Sequence, residues 1–206
     1  MRNPTYLKLL ACAAIMATSV ATYKQSEAAT ASVGATFTTS SAITVTQVSD
    51  IDFGTWFINV DQADGTVGDT IALTLNPTTG LVTTVITDAG DTGTTLEGTA
   101  TEITASTSVG EVTIQTPAAA AVDMFADITD FGGPALTMSA ITYDFLKGGF
   151  SDSTGTLDTV VSTNAETVTT TGGADDRLLL GATLTISEDV VDNTYTGASV
   201  LITVQY

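Results

Sequence analysis

Carboxylates and hydroxyls are the only abundant side chains in this chain that could do chemistry. Asp and Glu number 23 against 5 Lys and Arg, histidine is absent, and Cys12 is the single cysteine. Without histidine, neither a Ser-His-Asp nor a Cys-His nucleophile can be built, and His-ligated metal is excluded with them. One cysteine allows no internal disulfide, zinc ribbon or iron–sulfur cluster. Two carboxylates flanking a sugar could hydrolyse a glycosidic bond, if one had a raised pKa. Glu97, Glu102 and Glu111 are the candidates. Such a cleft is usually lined with aromatics. Only 6% of the chain is aromatic, and a core would claim most of those residues. The expectation is a protein that is not an enzyme.

Calcium is the stronger chemical idea. The segment Asn59-Val60-Asp61-Gln62-Ala63-Asp64-Gly65 sets Asn59, Asp61 and Asp64 before a glycine turn. Asp88-Ala89-Gly90-Asp91 and Asp175-Asp176 repeat the theme. Calcium takes about six to eight oxygens from carboxylates and carbonyls in flexible loops. Ala63 breaks the EF-hand spacing, however, and Asp, Asn and Gly are ordinary turn residues. The same segments therefore also read as solvated turns. No other cofactor is suggested. Threonine makes up about a fifth of the residues. Its hydroxyls on outer strand faces could meet polysaccharide, or simply water.

These groups must be held by strands. Thr and Val favour a pleated, half-buried surface over a helix. Apolar residues alternate in Ile71-Ala72-Leu73-Thr74-Leu75, in Leu184-Thr185-Ile186, and in Val200-Leu201-Ile202-Thr203-Val204-Gln205-Tyr206. Period two is what a strand with one buried face requires. Further strands are expected at 32–39, 42–48, 52–58, 81–87, 94–104, 109–116, 135–146, 157–163 and 178–186. Gly-, Asp- and Asn-rich breaks at 61–69, 88–93, 147–155 and 172–176 separate them. Only 118–128, with four successive alanines, hints at a helical turn. Many short strands at regular spacing predict an antiparallel β-sandwich or barrel. No repeat or linker divides them, so one domain over 29–206 is expected.

The first residues read as an export signal. Arg2 and Lys8 precede an apolar run, Leu9 to Ala21, too short to span a bilayer. Small-x-small sites follow at Ser19-Val20-Ala21 and Ser26-Glu27-Ala28, and cleavage is expected after Ala28. Leu9-Leu10-Ala11-Cys12 has a lipobox-like order, but most of the apolar stretch follows the cysteine rather than preceding it. Cleavage would remove three of the five basic residues and one of the 23 acids. Lys147 and Arg177 would then face 22 acids, a net charge of −20 over 178 residues. So few bases leave no phosphate-binding surface, so nucleic acid is not an expected partner. No later segment is apolar enough to span a membrane as a helix.

Three short motifs stand in order: Ile51-Asp52-Phe53-Gly54-Thr55-Trp56, Gly181-Ala182-Thr183-Leu184-Thr185-Ile186, and Asn193-Thr194-Tyr195-Thr196-Gly197 leading to a terminal Tyr206. Together they resemble the DUF4402 family of secreted bacterial proteins. The resemblance runs from about Ala29 to Tyr206 and implies an immunoglobulin-like β-sandwich. The ending is similar to that of chaperone–usher pilins and spore-coat-U-type subunits, although the pilins' cysteine pair is missing. Asp52-Phe53-Gly54 also spells the kinase metal-binding triplet. No glycine-rich phosphate loop, strand lysine or His-Arg-Asp loop accompanies it. The structural reading makes Phe53, with Trp56 or Phe57, a core aromatic and Gly54 a bulge.

The expected protein is a non-catalytic structural subunit, exported through the periplasm to the cell surface or beyond. It would self-associate or join other surface subunits into fimbria-like filaments or a matrix. The alternative is an extracellular module binding carbohydrate or divalent cations. Assembly by β-strand addition would use an N-terminal arm in which Val33, Ala35 and Phe37 share a face with Ala31; the same residues 31–37 also read as the first strand of the domain's own sheet. It would also use the terminal strand, with Val200, Ile202, Val204 and Tyr206 on one buried face. Intact-mass measurement of exported protein should show a start near Ala29 and no lipid. A diacylated Cys12 would overturn that processing.

Overall fold

The structure is a computed structural model, and it describes residues 42–60, 70–87, 98–104, 106–131, 135–159, 163–173, 176–187, 195 and 197–206. All of them belong to one compact unit, Ser40–Tyr206. They form twelve strands and, among the described residues, no helix. The first six are β1 (Thr44–Ser49), β2 (Thr55–Asn59), β3 (Thr70–Leu75), β4 (Val82–Thr87), β5 (Thr99–Thr104) and β6 (Gly110–Gln115). Then come β7 (Ala121–Thr129), β8 (Leu136–Lys147), β9 (Phe150–Thr156), β10 (Glu166–Thr169), β11 (Arg177–Ile186) and β12 (Ser199–Gln205). Every pairing is antiparallel.

A seven-stranded sheet is built around β11. Along one side β11 pairs with β8 over nearly its whole length, and β9 continues the sheet beyond β8. Two strands share its other side end to end. Arg177–Leu180 pair with β6, and Thr183–Ile186 pair with β3. The outer strands are β1 beside β6 and β4 beside β3. A three-stranded sheet, β10-β7-β12, packs against this one, so the fold is a β-sandwich. A separate ribbon joins β2 to β5. Alternation determines which side chains enter the core. Ile71, Leu73 and Leu75 point inward from β3, and Leu178, Leu180, Leu184 and Ile186 from β11. They meet Val122 and Met124 of β7 and Val168 of β10 in one cluster.

The change of neighbour along β11 falls at Gly181 and Ala182. A Cβ on Gly181 would overlap the Leu75 carbonyl oxygen and come within 2.9 Å of Pro77 Cδ. Only glycine lets the end of β3 lie this close. On the other side β8 spends two residues, Ala140 and Ile141, opposite Ala182. Ala140 takes the left-handed conformation there, with φ 49°.

The structure corrects several expected elements. Residues 118–128 hold no helical turn. Ala121–Thr129 is β7, with Val122, Met124 and Ala126 buried in strand alternation. Pairing on both sides, with β10 and β12, overrides the local preference of the alanines. The break expected at 147–155 shrinks to a two-glycine turn. Gly148 and Gly149 both have positive φ, and β9 begins at Phe150. Of the strand expected at 157–163, residues 157–159 and 163 are not in a strand, and 160–162 lie outside the described residues. Leu157 and Asp158 lie beyond β9, although Leu157 N–H donates to Ile141 and Ala126 N–H to the Asp158 carbonyl. Strand β10 was not expected. The strand expected at 32–39 lies outside the described residues.

Two substitutions test the crossover. Gly181→Ala should destabilise the fold by about 3 kcal/mol or more, because backbone must move. Ala140→Gly should be neutral or stabilising by up to about 1 kcal/mol, because it relieves a left-handed alanine. Thermal unfolding of both variants decides, and a Gly181→Ala protein that melts like wild type would overturn this account of β11.

Candidate functional site: the terminal strand and its open edge

Strand β12 is placed by its register with β7. Val200 lies opposite Ile128, Ile202 opposite Ala126 and Val204 opposite Met124. These three side chains pack against the core yet remain only half-buried. The reason is positional. Among the described residues β12 pairs with β7 alone, so the three-stranded sheet ends at its free side. An edge of this kind presents a row of unpaired amides and carbonyls, and proteins usually blunt it with Lys or Pro. Here β12 carries neither, and Leu201 on the opposite face is 64% exposed.

Tyr206 departs from the expected pattern. The alternation groups it with the buried face, but it is 55% exposed. The pairing with β7 ends at Gln205 opposite Asp123, so nothing carries Tyr206 inward. Val33, Ala35 and Phe37, expected to form the complementary arm, lie outside the described residues. Of the expected calcium ligands, Asn59 is the exposed last residue of β2, opposite Thr99. Asp61 and Asp64 lie outside the described residues. Among the described residues, no group of three or more acids is gathered where it could hold a metal ion.

Several of the remaining acids have structural partners. Glu111 accepts from Arg177 at 3.1 Å. Glu102 stands exposed on β5 opposite Trp56, and Glu97 lies outside the described residues. Asp144 is buried and accepts from the Ser151 hydroxyl at 2.6 Å. Asp176, fully buried, accepts from Thr171 N–H at 2.6 Å and Gly148 N–H at 3.0 Å. It thereby ties the β8–β9 turn to the chain entering β11. Around the Asp52-Phe53-Gly54 motif, Phe53 is in the core and Trp56 is half-buried, its indole donating to the Phe53 carbonyl at 2.6 Å. Phe57 is 57% exposed and is not a core residue. Gly54 has φ 83°, next to a register shift between Thr55 and Trp56.

Sequence reasoning missed Tyr143. It is buried on β8, and its hydroxyl donates to Glu166 Oε2 of β10 at 3.0 Å and lies 3.2 Å from Ser153 Oγ. The bond crosses between the two sheets. Gly155 makes room for the ring, since a Cβ there would come within 2.9 Å of it. Burial pushes the phenol pKa up. The Glu166 hydrogen bond and charge add to this, and the Ser153 hydrogen bond opposes it.

A raised phenol pKa favours the protonated form in the folded state. The stability it confers is complete below the unfolded value near 10 and is lost as pH rises above it. Denaturant unfolding of wild type should therefore show a loss of stability above about pH 10 that Tyr143→Phe reduces. An identical alkaline limb in the two proteins would refute this. No protein-family model, curated protein or solved structure matches the chain.

Proposed function

We propose that the chain is an exported, non-catalytic structural subunit that builds fimbria-like filaments or a surface matrix by β-strand addition. The observation that carries this reading is the side of β12 that has no strand beside it among the described residues, with Val200, Ile202 and Val204 half-buried. A strand laid beside β12 would pair its free amides and cover these side chains, which is how strand addition gains both affinity and register. In sequence, residues 29–37 have the matching period-two alternation, with Ala31, Val33, Ala35 and Phe37 at alternate positions and Gly34 between them. Supplied by a neighbouring copy, that arm makes a head-to-tail contact, and such contacts propagate into filaments when the rotation does not close. The export-signal pattern, the resemblance to DUF4402 and pilin-like proteins, and the immunoglobulin-like arrangement they imply all support this reading.

Deleting 29–37 should leave a β-rich monomer that melts within a few degrees of the parent but forms no filaments by electron microscopy. The pair Val33→Asp and Phe37→Asp should do the same without shortening the chain. If the deletion unfolds the domain, the arm is a strand of its own sandwich. If the unaltered protein stays monomeric at high concentration and on the cell surface, strand addition is wrong.

A further inference from the structure

The β8–β9 hairpin ends in an exposed tip that is held from beneath. Phe150 there is 81% exposed, more than any other large apolar side chain among the described residues. Single exposed apolar residues are ordinary. This one is set apart by how its turn is fixed and by what stands beside it. Gly148 N–H donates at 3.0 Å to Asp176, which is fully buried and also accepts from the Thr171 N–H and hydroxyl. Burying a carboxylate is costly unless it is hydrogen-bonded, and here the bonds it makes fix an exposed turn. A contact residue on a fixed turn gives up less freedom on binding. Directly across the turn, Lys147 pairs with Phe150. Cross-strand partners share a face, so the ring and the lysine stem stand together on one side of the tip.

Charge narrows the partner. Among the described residues the cations are Lys147 and Arg177. Arg177 is neutralised within the chain by Glu111, and Lys147 forms no ion pair among the described residues. At a net charge of −18, a contact between two copies is favoured electrostatically where a cation of one meets an acid of the other. Lys147 is the cation placed to make such a contact.

A surface of the complementary kind lies at the opposite end of the same hairpin. A groove of about 420 Å³ sits where β8 bulges at Ala140 and the chain leaves β9 at Leu157. Ala126 and Ile128 of β7, Met138 and Ala140 of β8, and Leu157 supply its apolar lining, and Asp158 supplies a carboxylate. The groove at the β3–β11 crossover, by contrast, has no charged residue in its lining. Tip and Asp158 groove thus carry matching pairs, a ring with a cation and an apolar hollow with an acid. They are roughly 20 Å apart along the strands, at about 3.4 Å per residue. Two different patches at opposite ends of one element make a head-to-tail contact, which can repeat from copy to copy.

We infer that the β8–β9 tip of one copy docks in the Asp158 groove of a second copy, with Phe150 entering the groove and Lys147 meeting Asp158. The contact uses neither β12 nor residues 29–37, so it stands or falls apart from strand addition. The test uses the unshortened exported chain carrying Val33→Asp and Phe37→Asp, in which strand addition is blocked. Analytical ultracentrifugation should show concentration-dependent association of this protein. Adding Phe150→Ser, Lys147→Glu or Asp158→Lys should each weaken association about tenfold or more, as loss of a central contact predicts. Circular dichroism melting should show that Phe150→Ser leaves the fold as stable as before. Ser139→Trp, which fills the groove from an exposed rim position, should weaken association as Asp158→Lys does, and it serves in its place if that variant does not fold. The Phe150→Ser protein keeps an intact groove and the groove variant an intact tip, so mixing the two should give dimers that neither forms alone. Lys147→Glu combined with Asp158→Lys in one chain should restore association. A starting protein that stays monomeric at about 1 mM, undiminished association in the tip variants, or a mixture that remains monomeric would each overturn the inference.

Discussion

The architecture depends on one crowded point, the place where β11 exchanges β6 for β3 as its neighbour. A ten-residue strand must serve two shorter ones on one side while β8 runs unbroken along the other. The exchange requires the end of β3 to lean over β11, and only the missing side chain of Gly181 allows that approach. The surrounding geometry follows from it. Pro77 is carried onto the glycine and buried. Thr142 is enclosed beside it, and among the described residues its hydroxyl has no hydrogen-bond partner. Directly across, β8 absorbs the mismatch with an extra residue, leaving Ala140 left-handed. A sheet with one neighbour per side would have none of these features.

The second sheet is held by polar ties as well as by the core. Tyr143 reaches Glu166 from β8 to β10, and the Thr116 and Thr170 hydroxyls meet at 2.7 Å in a fully buried pair. Asp176 fixes the β8–β9 turn from beneath. Each is a buried polar group that is costly to leave unpaired, so each restricts how the two layers can slide. That restriction matters most at β12. Among the described residues this strand pairs with one neighbour, and its position is inherited from β7, which is in turn held by β10.

What could be read from the sequence was local. Ile71 to Leu75 and Leu184 to Ile186 declared themselves because a period of two needs only a few residues and no knowledge of partners. The same holds for Val200, Ile202 and Val204. Where composition and pairing disagreed, the reading failed. The alanines before Val122 hid a strand that exists because two others flank it. The glycines at 148 and 149 looked like the middle of a long break, yet two glycines between alternating segments are also the signature of a tight hairpin. Tyr143 and Thr142 could not be recognised at all. Tyr143 depends on Glu166 in the other sheet, and Thr142 is defined by the approach of Pro77 from a strand paired elsewhere.

Strong acidity and an open apolar edge fit together in one physical picture. At a net charge of −18, copies of this chain repel one another over distances set by the ionic strength, about 8 Å in physiological salt. Backbone pairing and side-chain burial act only at contact. A sheet edge without Lys or Pro would ordinarily invite indiscriminate pairing. Diffuse repulsion opposes every encounter equally, whereas the gain from covering Val200, Ile202 and Val204 comes only to a strand whose apolar residues alternate in register with them. On the proposed strand addition, charge would oppose encounters without blunting the edge, and selection among partners would rest on the period-two pattern of β12.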